Sequence, residues 1–176
     1  MNAICVFDPS SSFNQQKIQG TISFSQSSPL SHTFVEIKLK NFPKNGRFGC
    51  HVHEYGDLTE GCKTACSHFN PHKRQHGSRE LYGVNRHVGD LAIPHGNLIS
   101  NDKGEVIVSF YDELISLYST SQSIIGRMIV IHAQPDDGGR FRNENTPQGI
   151  ESGITGNAGK RTACAIIGLS KSTQNK

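Results

Sequence analysis

The chain has 176 residues, with 18 lysines and arginines against 15 aspartates and glutamates and a formal net charge of +3. That length fits one domain with a core of its own, the content of Leu, Ile, Val and Phe is above that of disordered chains, and 18 glycines and 7 prolines without a period exclude collagen. The basic residues are scattered, so nucleic acid is not an expected partner, and the longest nearly apolar stretch, from Ser123 to Ala133, is far short of the roughly 20 residues that span a bilayer, so no membrane is expected either.

Taken in chain order, short strands are predicted over residues 3–7, 18–24, 33–40, 48–54, 96–99, 106–111, 127–132 and 163–169, eight in all. The third is the clearest, because Val35, Ile37 and Leu39 alternate with Glu36, Lys38 and Lys40, the period of a half-buried strand. The turn Asn101-Asp102-Lys103-Gly104 separates two of the others. No segment keeps an apolar helical period over three turns, so the class is all-β, a sandwich or barrel. Two long stretches, about 55–90 and 134–162, lack strand character and are expected to be functional loops. One domain over 1–169 is expected, followed by a polar, frayed tail over 170–176.

Five cysteines are present: Cys5, Cys50, Cys62, Cys66 and Cys164. The odd count predicts at least one free thiol, and the first eight residues carry no basic leader, so an intracellular, cytoplasmic location without a signal peptide is expected. Nine histidines are more informative, since seven of them (His51, His53, His68, His72, His76, His87 and His95) fall within one block of 45 residues. In a strand, His51 and His53 point to the same face and can converge on one ion; by themselves they read equally as surface or core histidines. His68, His76, His87 and Asp90 offer three imidazoles and a carboxylate, donors suited to a four-coordinate zinc, against the reading of a polar loop rich in histidine. His132, closing the apolar run Ile129-Val130-Ile131, is a further candidate ligand or a structural residue. So many donors exceed one tetrahedral site, and an all-imidazole set beside one containing a carboxylate suits copper and zinc respectively.

These residues resemble the copper/zinc superoxide dismutases. The resemblance rests on His51-Val52-His53-Glu54-Tyr55-Gly56-Asp57, Gly61-Cys62, His68-Phe69-Asn70-Pro71, Arg86-His87-Val88-Gly89-Asp90-Leu91, Ile124-Ile125-Gly126-Arg127 and Gly156-Asn157-Ala158-Gly159-Lys160-Arg161-Thr162-Ala163-Cys164, in family order from about residue 3 to 169. It implies an eight-stranded Greek-key β-barrel, an immunoglobulin-like sandwich, with two long functional loops, holding one copper and one zinc. Copper would be held by His51, His53, His68 and His132, and zinc by His68, His76, His87 and Asp90, with His68 as the bridging imidazolate. Asp136 would hydrogen-bond one ligand of each metal, His51 and His76, and Cys62 and Cys164 would form a disulfide, leaving Cys5, Cys50 and Cys66 free. Arg161 would receive superoxide. The implied chemistry is a ping-pong in which Cu(II) oxidises one superoxide to dioxygen and Cu(I) reduces a second to peroxide, the bridge at His68 breaking and taking a proton.

The resemblance further implies a homodimer through Gly56, Ile125, Gly126 and Leu169, and a copper-delivery protein as a partner. Ile154 departs from the family, which usually has a lysine there; Arg140 and Arg142 are candidates to replace that charge. The segment Ile93-Pro94-His95 looks inserted, with His95 and His72 at the surface. The alternative reading is a non-catalytic metal-binding relative that keeps the fold, and a third is an adhesion sandwich, which leaves the histidine block unexplained.

Overall fold

The structure, a computed structural model, describes residues 1–171. Among the described residues are ten short strands and two short α-helices: β1 (Asn2–Phe7), β2 (Gln19–Ser25), β3 (Thr33–Lys40), β4 (Arg47–Phe48), β5 (Cys50–His53), α1 (Arg79–Tyr82), β6 (Leu98–Ile99), β7 (Val106–Asp112), β8 (Met128–His132), α2 (Pro147–Thr155), β9 (Arg161–Ile166) and β10 (Gly168–Leu169). They form an antiparallel five-stranded sheet in the order β10-β1-β2-β3-β7, a two-stranded sheet β4-β6 and a three-stranded sheet β5-β8-β9. The chain is therefore all-β, and one apolar core lies between the sheets.

Alternation explains β3, where Thr33, Val35, Ile37 and Leu39 are buried while Glu36, Lys38 and Lys40 face outward. It fails for β8, every residue of which is buried. Ile129 and Ile131 enter the main core, whereas Met128 and Val130 lie in a second apolar cluster with Ala65 and Cys164 beneath the 3-10 turn Gly61–Ala65. A strand covered on both faces reads as a continuous apolar run.

Two of the eight expected strands are split, for a common reason. Gly49 separates β4 from β5 because its N–H donates to the Gln134 carbonyl (2.9 Å) and its own carbonyl accepts from His132 N–H (2.9 Å), so the chain changes partner there. Ile167 separates β9 from β10: its backbone exchanges bonds with Arg127 (2.8 Å) and Gly126 (2.9 Å), after which Gly168 and Leu169 pair with β1. In the expected 96–99 segment only Leu98 and Ile99 are strand, the preceding Pro94–Gly96 being a 3-10 turn with His95 at φ 62°.

The helix α2 lies within the stretch where no helical period is legible. Thr146 caps it, its Oγ1 accepting from Gly149 N–H (3.0 Å); Pro147 starts it and Gly156 in the left-handed conformation ends it. Its buried residues are Gly149 and Ser152, while Ile150 and Ile154 are exposed, so no apolar stripe marks it. Among the described residues no helix is long and apolar enough to cross a membrane. In the tail, Ser170 N–H donates to the Asn2 carbonyl (3.0 Å), and residues 172–176 lie outside the described residues.

Candidate metal centre

Two strands, β5 and β8, and the two long loops together deliver a single buried cluster. In β5, Val52 faces the core and His51 and His53 face the opposite side. The loop after β5 folds back on it: Phe69 N–H donates to the Val52 carbonyl (2.9 Å), Val52 N–H to Gly89 (2.9 Å) and Gly89 N–H to Phe69 (2.8 Å). Gly89 is required there, since a Cβ would lie 2.2 Å from the Val52 oxygen. This three-way contact brings His68, His87 and Asp90 to the histidine face of β5. His132 arrives from the end of β8, and Asp136 and His76 from the two long loops.

The donors form two adjoining groups, His51, His53, His68 and His132, and His51, His68, His76 and Asp90, each with ligand atoms within 4.8 Å of one another. His87 stands beside the second group, with Nδ1 3.3 Å from Asp90 Oδ1 and its ring 5.6 Å from His68 and 5.7 Å from His76. All six histidines and Asp90 are buried. Asp136 spans the groups: Oδ2 is 2.8 Å from His51 Nε2 and Oδ1 2.8 Å from His76 Nε2. Gly156 makes room for that carboxylate, because a Cβ would lie 1.9 Å from Oδ1.

The ring nitrogens test whether metal fits. His53 Nδ1 is engaged on the Cys66 carbonyl (2.9 Å) and His132 Nδ1 on the Gly159 carbonyl (3.1 Å). That leaves Nδ1 of His51 and Nε2 of His53, His68 and His132 buried without a hydrogen-bond partner, while Nδ1 of His76 and of His87 face only the Asp90 carboxylate, at 3.0 and 3.3 Å and out of hydrogen-bond alignment. A buried polar atom left unpaired costs about 1–3 kcal/mol, so donors gathered in this way fit bound cations rather than a packed core. Imidazole and carboxylate donors without thiolate fit zinc and copper.

Charge is distributed unevenly over the cluster. Burial holds the His68 pKa down to about 3 and that of His132 down to about 4, so both rings are neutral with lone pairs available. Burial also lowers His51 and His53. For His76 burial acts downward too, but Asp90 and Asp136 on either side outweigh it and lift the pKa to about 10. Both carboxylates are held below the usual range: burial would raise them, and the surrounding histidines prevail. Loading a cation at His76 therefore displaces a proton.

A cavity of about 290 Å³ opens beside the first group, lined among others by His53, His68, His132, Glu151, Thr155 and Arg161. Arg161 Nη1 donates to the carbonyls of Cys62 (2.7 Å) and Lys63 (3.0 Å), and Nη2 donates to that of Cys66. Cys62 is bonded to Cys164, 102 residues away, which ties the turn carrying those carbonyls to β9. Cys5 and Cys50 are free and buried, and Cys66 is free and exposed. Neither Arg140 nor Arg142 lines this cavity. His72 and His95 are exposed, apart from the cluster.

Two residues of the site carry no sequence signal. Buried Asn97 clamps the backbone of Asp136, its Nδ2 donating to the carbonyl (2.8 Å) and its Oδ1 accepting from the N–H (2.7 Å). Glu151 places an acidic group in the cavity wall, held by Thr155 Oγ1 (2.5 Å), and only the turn of α2 brings it there.

An all-β domain carrying two abutting donor groups that share His51 and His68, beside a cavity lined by Arg161, is the arrangement of a protein that binds two metal ions. The family model for copper/zinc superoxide dismutase matches residues 18–167, and the chain belongs to that family. It is 42% identical over 171 residues to superoxide dismutase Cu-Zn 5 of Dictyostelium discoideum, covering 97% of this chain and 99% of the relative. It is 43% identical over 153 residues to the Cu-Zn superoxide dismutase of Schizosaccharomyces pombe, covering 87% and 91%. The crystal structure of the clock protein EA4 superposes with a TM-score of 0.78 at 37% identity, covering 96% of this chain and 94% of that one. The chain is an oxidoreductase that disproportionates superoxide as antioxidant defence, with copper and zinc as cofactors.

Proposed function

We propose that copper is held by His51, His53, His68 and His132, that zinc is held by His68, His76, His87 and Asp90, and that Arg161 captures the substrate. The observation that carries this division is the pattern of unpartnered nitrogens. His51 is near both groups, but Asp136 occupies its Nε2, leaving one nitrogen to give. His68 has Nε2 unpartnered, and its Nδ1 pairs with Asp90 (2.9 Å), itself a donor of the second group, so we assign His68 as the bridge.

When bound, copper supplies the one-electron acceptor and donor for successive superoxide molecules, and zinc supplies a fixed charge on the far side of His68. The protein's part is positional. Arg161, tethered through both terminal nitrogens and half-buried at the cavity, presents a permanent positive charge that draws in a small anion beside His53, His68 and His132. Engaging Nδ1 of His53 and His132 on carbonyls fixes their tautomers and keeps Nε2 as the donor atom. Asp136 orients His51 and His76 together. His68 Nε2, unpartnered at the cavity wall, would be the atom able to hold a proton beside the substrate.

Replacing Arg161 with methionine is expected to lower kcat/KM about tenfold and to flatten its decline with added salt, since screening acts on the charge that has been removed. Stopped-flow superoxide decay at several ionic strengths is the measurement; an unchanged rate with an unchanged salt profile removes Arg161 from this role.

Around the site, we infer an eight-stranded Greek-key barrel: counting β4 with β5, and β9 with β10, as single strands that pass between sheets turns ten segments into eight. The domain would run over 1–169 with a tail over 170–176. Free thiols at Cys5, Cys50 and Cys66 favour a reducing, cytoplasmic setting. A copper-delivery protein is a further expected partner.

We also infer a homodimer. Gly56 and Gly126 have a use within the subunit, as a Cβ on Gly56 would lie 2.0 Å from the Gly126 oxygen, so the support comes from half-buried Ile125 and from Leu169, 67% exposed. Light scattering is expected to give about twice the 19.3 kDa chain mass, and Ile125→Lys to shift it toward monomer by opposing like charges across a two-fold axis. A wild-type monomer would overturn the dimer.

A further inference from the structure

His76 is held by its backbone as well as by its ring. Its N–H donates to the Gly153 carbonyl in α2 (2.9 Å) and its carbonyl accepts from Arg142 Nη1 (3.0 Å). The next residue completes the arrangement, because Gly77 N–H donates to Asp90 Oδ2 (3.0 Å). The peptide between His76 and Gly77 is therefore pinned at both ends, by a guanidinium on its oxygen and by the Asp90 carboxylate on its hydrogen. Turning that peptide would swing the His76 ring and withdraw a bond that keeps Asp90 Oδ1 aimed at the histidines.

Arg142 is itself fixed by the other long loop. Its guanidinium carbon lies 3.2 Å from the centroid of the Tyr82 ring, and Tyr82 Oη donates to the Gly139 carbonyl (2.9 Å). Glycines wall the slot: a Cβ at Gly77 would come within 3.0 Å of Arg142 Nη1 and 2.5 Å of the Tyr82 ring, and a Cβ at Gly139 within 2.5 Å of the His76 oxygen. Arg142 Nε is buried there without a partner, an unfavourable placement that the stacking and the bond to His76 offset.

We propose that Arg142, seated on Tyr82, is a positioning residue for the zinc-side ligands, locking the loop that carries His76 and Asp90 to the loop that precedes α2. The role rests on assigning His76 and Asp90 to zinc. A charged hydrogen bond to a carbonyl polarises the peptide and strengthens the N–H that faces Asp90. Arg142 thus acts on the metal through a shared peptide, never touching a metal ligand's ring.

The test is the rate at which the metal-loaded enzyme releases zinc to a chromophoric chelator, with copper content and melting temperature followed alongside. Arg142→Met keeps the apolar stem and removes the donors; zinc release about tenfold or more faster, with copper retained, is the expected result. Arg142→Lys, which restores a donor without the planar stack, should recover part of that loss. Tyr82→Phe, which keeps the stacked ring and loses only the bond to Gly139, should release zinc more slowly than Tyr82→Leu, and both should lie between wild type and Arg142→Met. Zinc release at the wild-type rate from Arg142→Met overturns the proposal, as does parallel loss of both metals in the methionine and lysine variants, the mark of general destabilisation. A wild-type enzyme that retains no zinc overturns the ligand assignment beneath it instead.

Discussion

Replacing His132 with alanine is expected to abolish most turnover, by at least about a hundredfold, while zinc content stays near wild type; even the outer partners of metal ligands are worth roughly ten- to a hundredfold. His132 gives Nε2 to the first donor group and belongs to no set containing Asp90. Its ring, neutral because burial holds the pKa to about 4, is oriented only by the Gly159 carbonyl, so removing it leaves Asp136, His76 and Asp90 undisturbed. Metal analysis by atomic absorption, set beside a superoxide-decay assay, separates the two consequences. Equal loss of copper and zinc would contradict the division of ligands.

The largest effect on stability is expected at Arg86. Its side chain is fully buried beside Asp112, also fully buried, with Nη2 3.3 Å from the carboxylate; Nη1 reaches Glu113 (3.2 Å) and the Gly83 carbonyl (2.7 Å), and Nε donates to the Asp90 carbonyl (2.7 Å). Removing one partner of a buried ion pair typically costs about 3–5 kcal/mol, because the other charge stays buried. Arg86→Met is therefore expected to lower the melting temperature by about 6–20 °C. Asp112 already has a raised pKa: burial lifts it, against Arg86 and the N–H groups of Leu114 and Ala92. Without Arg86 the rise becomes larger. A carboxyl whose folded pKa is raised favours the folded state below its unfolded value and loses that contribution as pH rises through the folded one, so the deficit of the variant should be greatest near neutrality and shrink in acid. Melting curves of both proteins across pH 4–8 provide the comparison; a loss of less than about 1 kcal/mol would show that the pair contributes little.

How much was legible depends on what each residue buries. In β3 a period of two is written directly in Val35, Ile37 and Leu39 against Glu36, Lys38 and Lys40, and the structure has the same bounds, Thr33–Lys40. In α2 the same logic fails, because the helix buries Gly149 and Ser152 and exposes Ile150 and Ile154, the reverse of an amphipathic stripe; only Thr146, Pro147 and Gly156 mark its ends. The splits at Gly49 and Ile167 were equally hidden, since a change of hydrogen-bond partner leaves apolar content untouched.

For the site, residue chemistry alone gave a block rich in imidazoles, which restricts the metals because coordination depends on atom type, but the same block holds several carboxylates and cysteines, and which of them join the histidines was decided by the fold. Which ring nitrogen each histidine offers was decided by tertiary structure. Asp136 occupies Nε2 of His51 and His76, while the carbonyls of Cys66 and Gly159 occupy Nδ1 of His53 and His132, and all three partners come from elsewhere in the chain. The same holds for charge at the cavity. Composition counts Arg140, Arg142 and Arg161 alike, yet only Arg161 lines it, and Arg142 is directed instead to Tyr82 and His76. A hydrogen bond or a stacking contact acts only over a few ångströms, so residues distant in sequence acquire these roles only when the sheets and loops have brought them together.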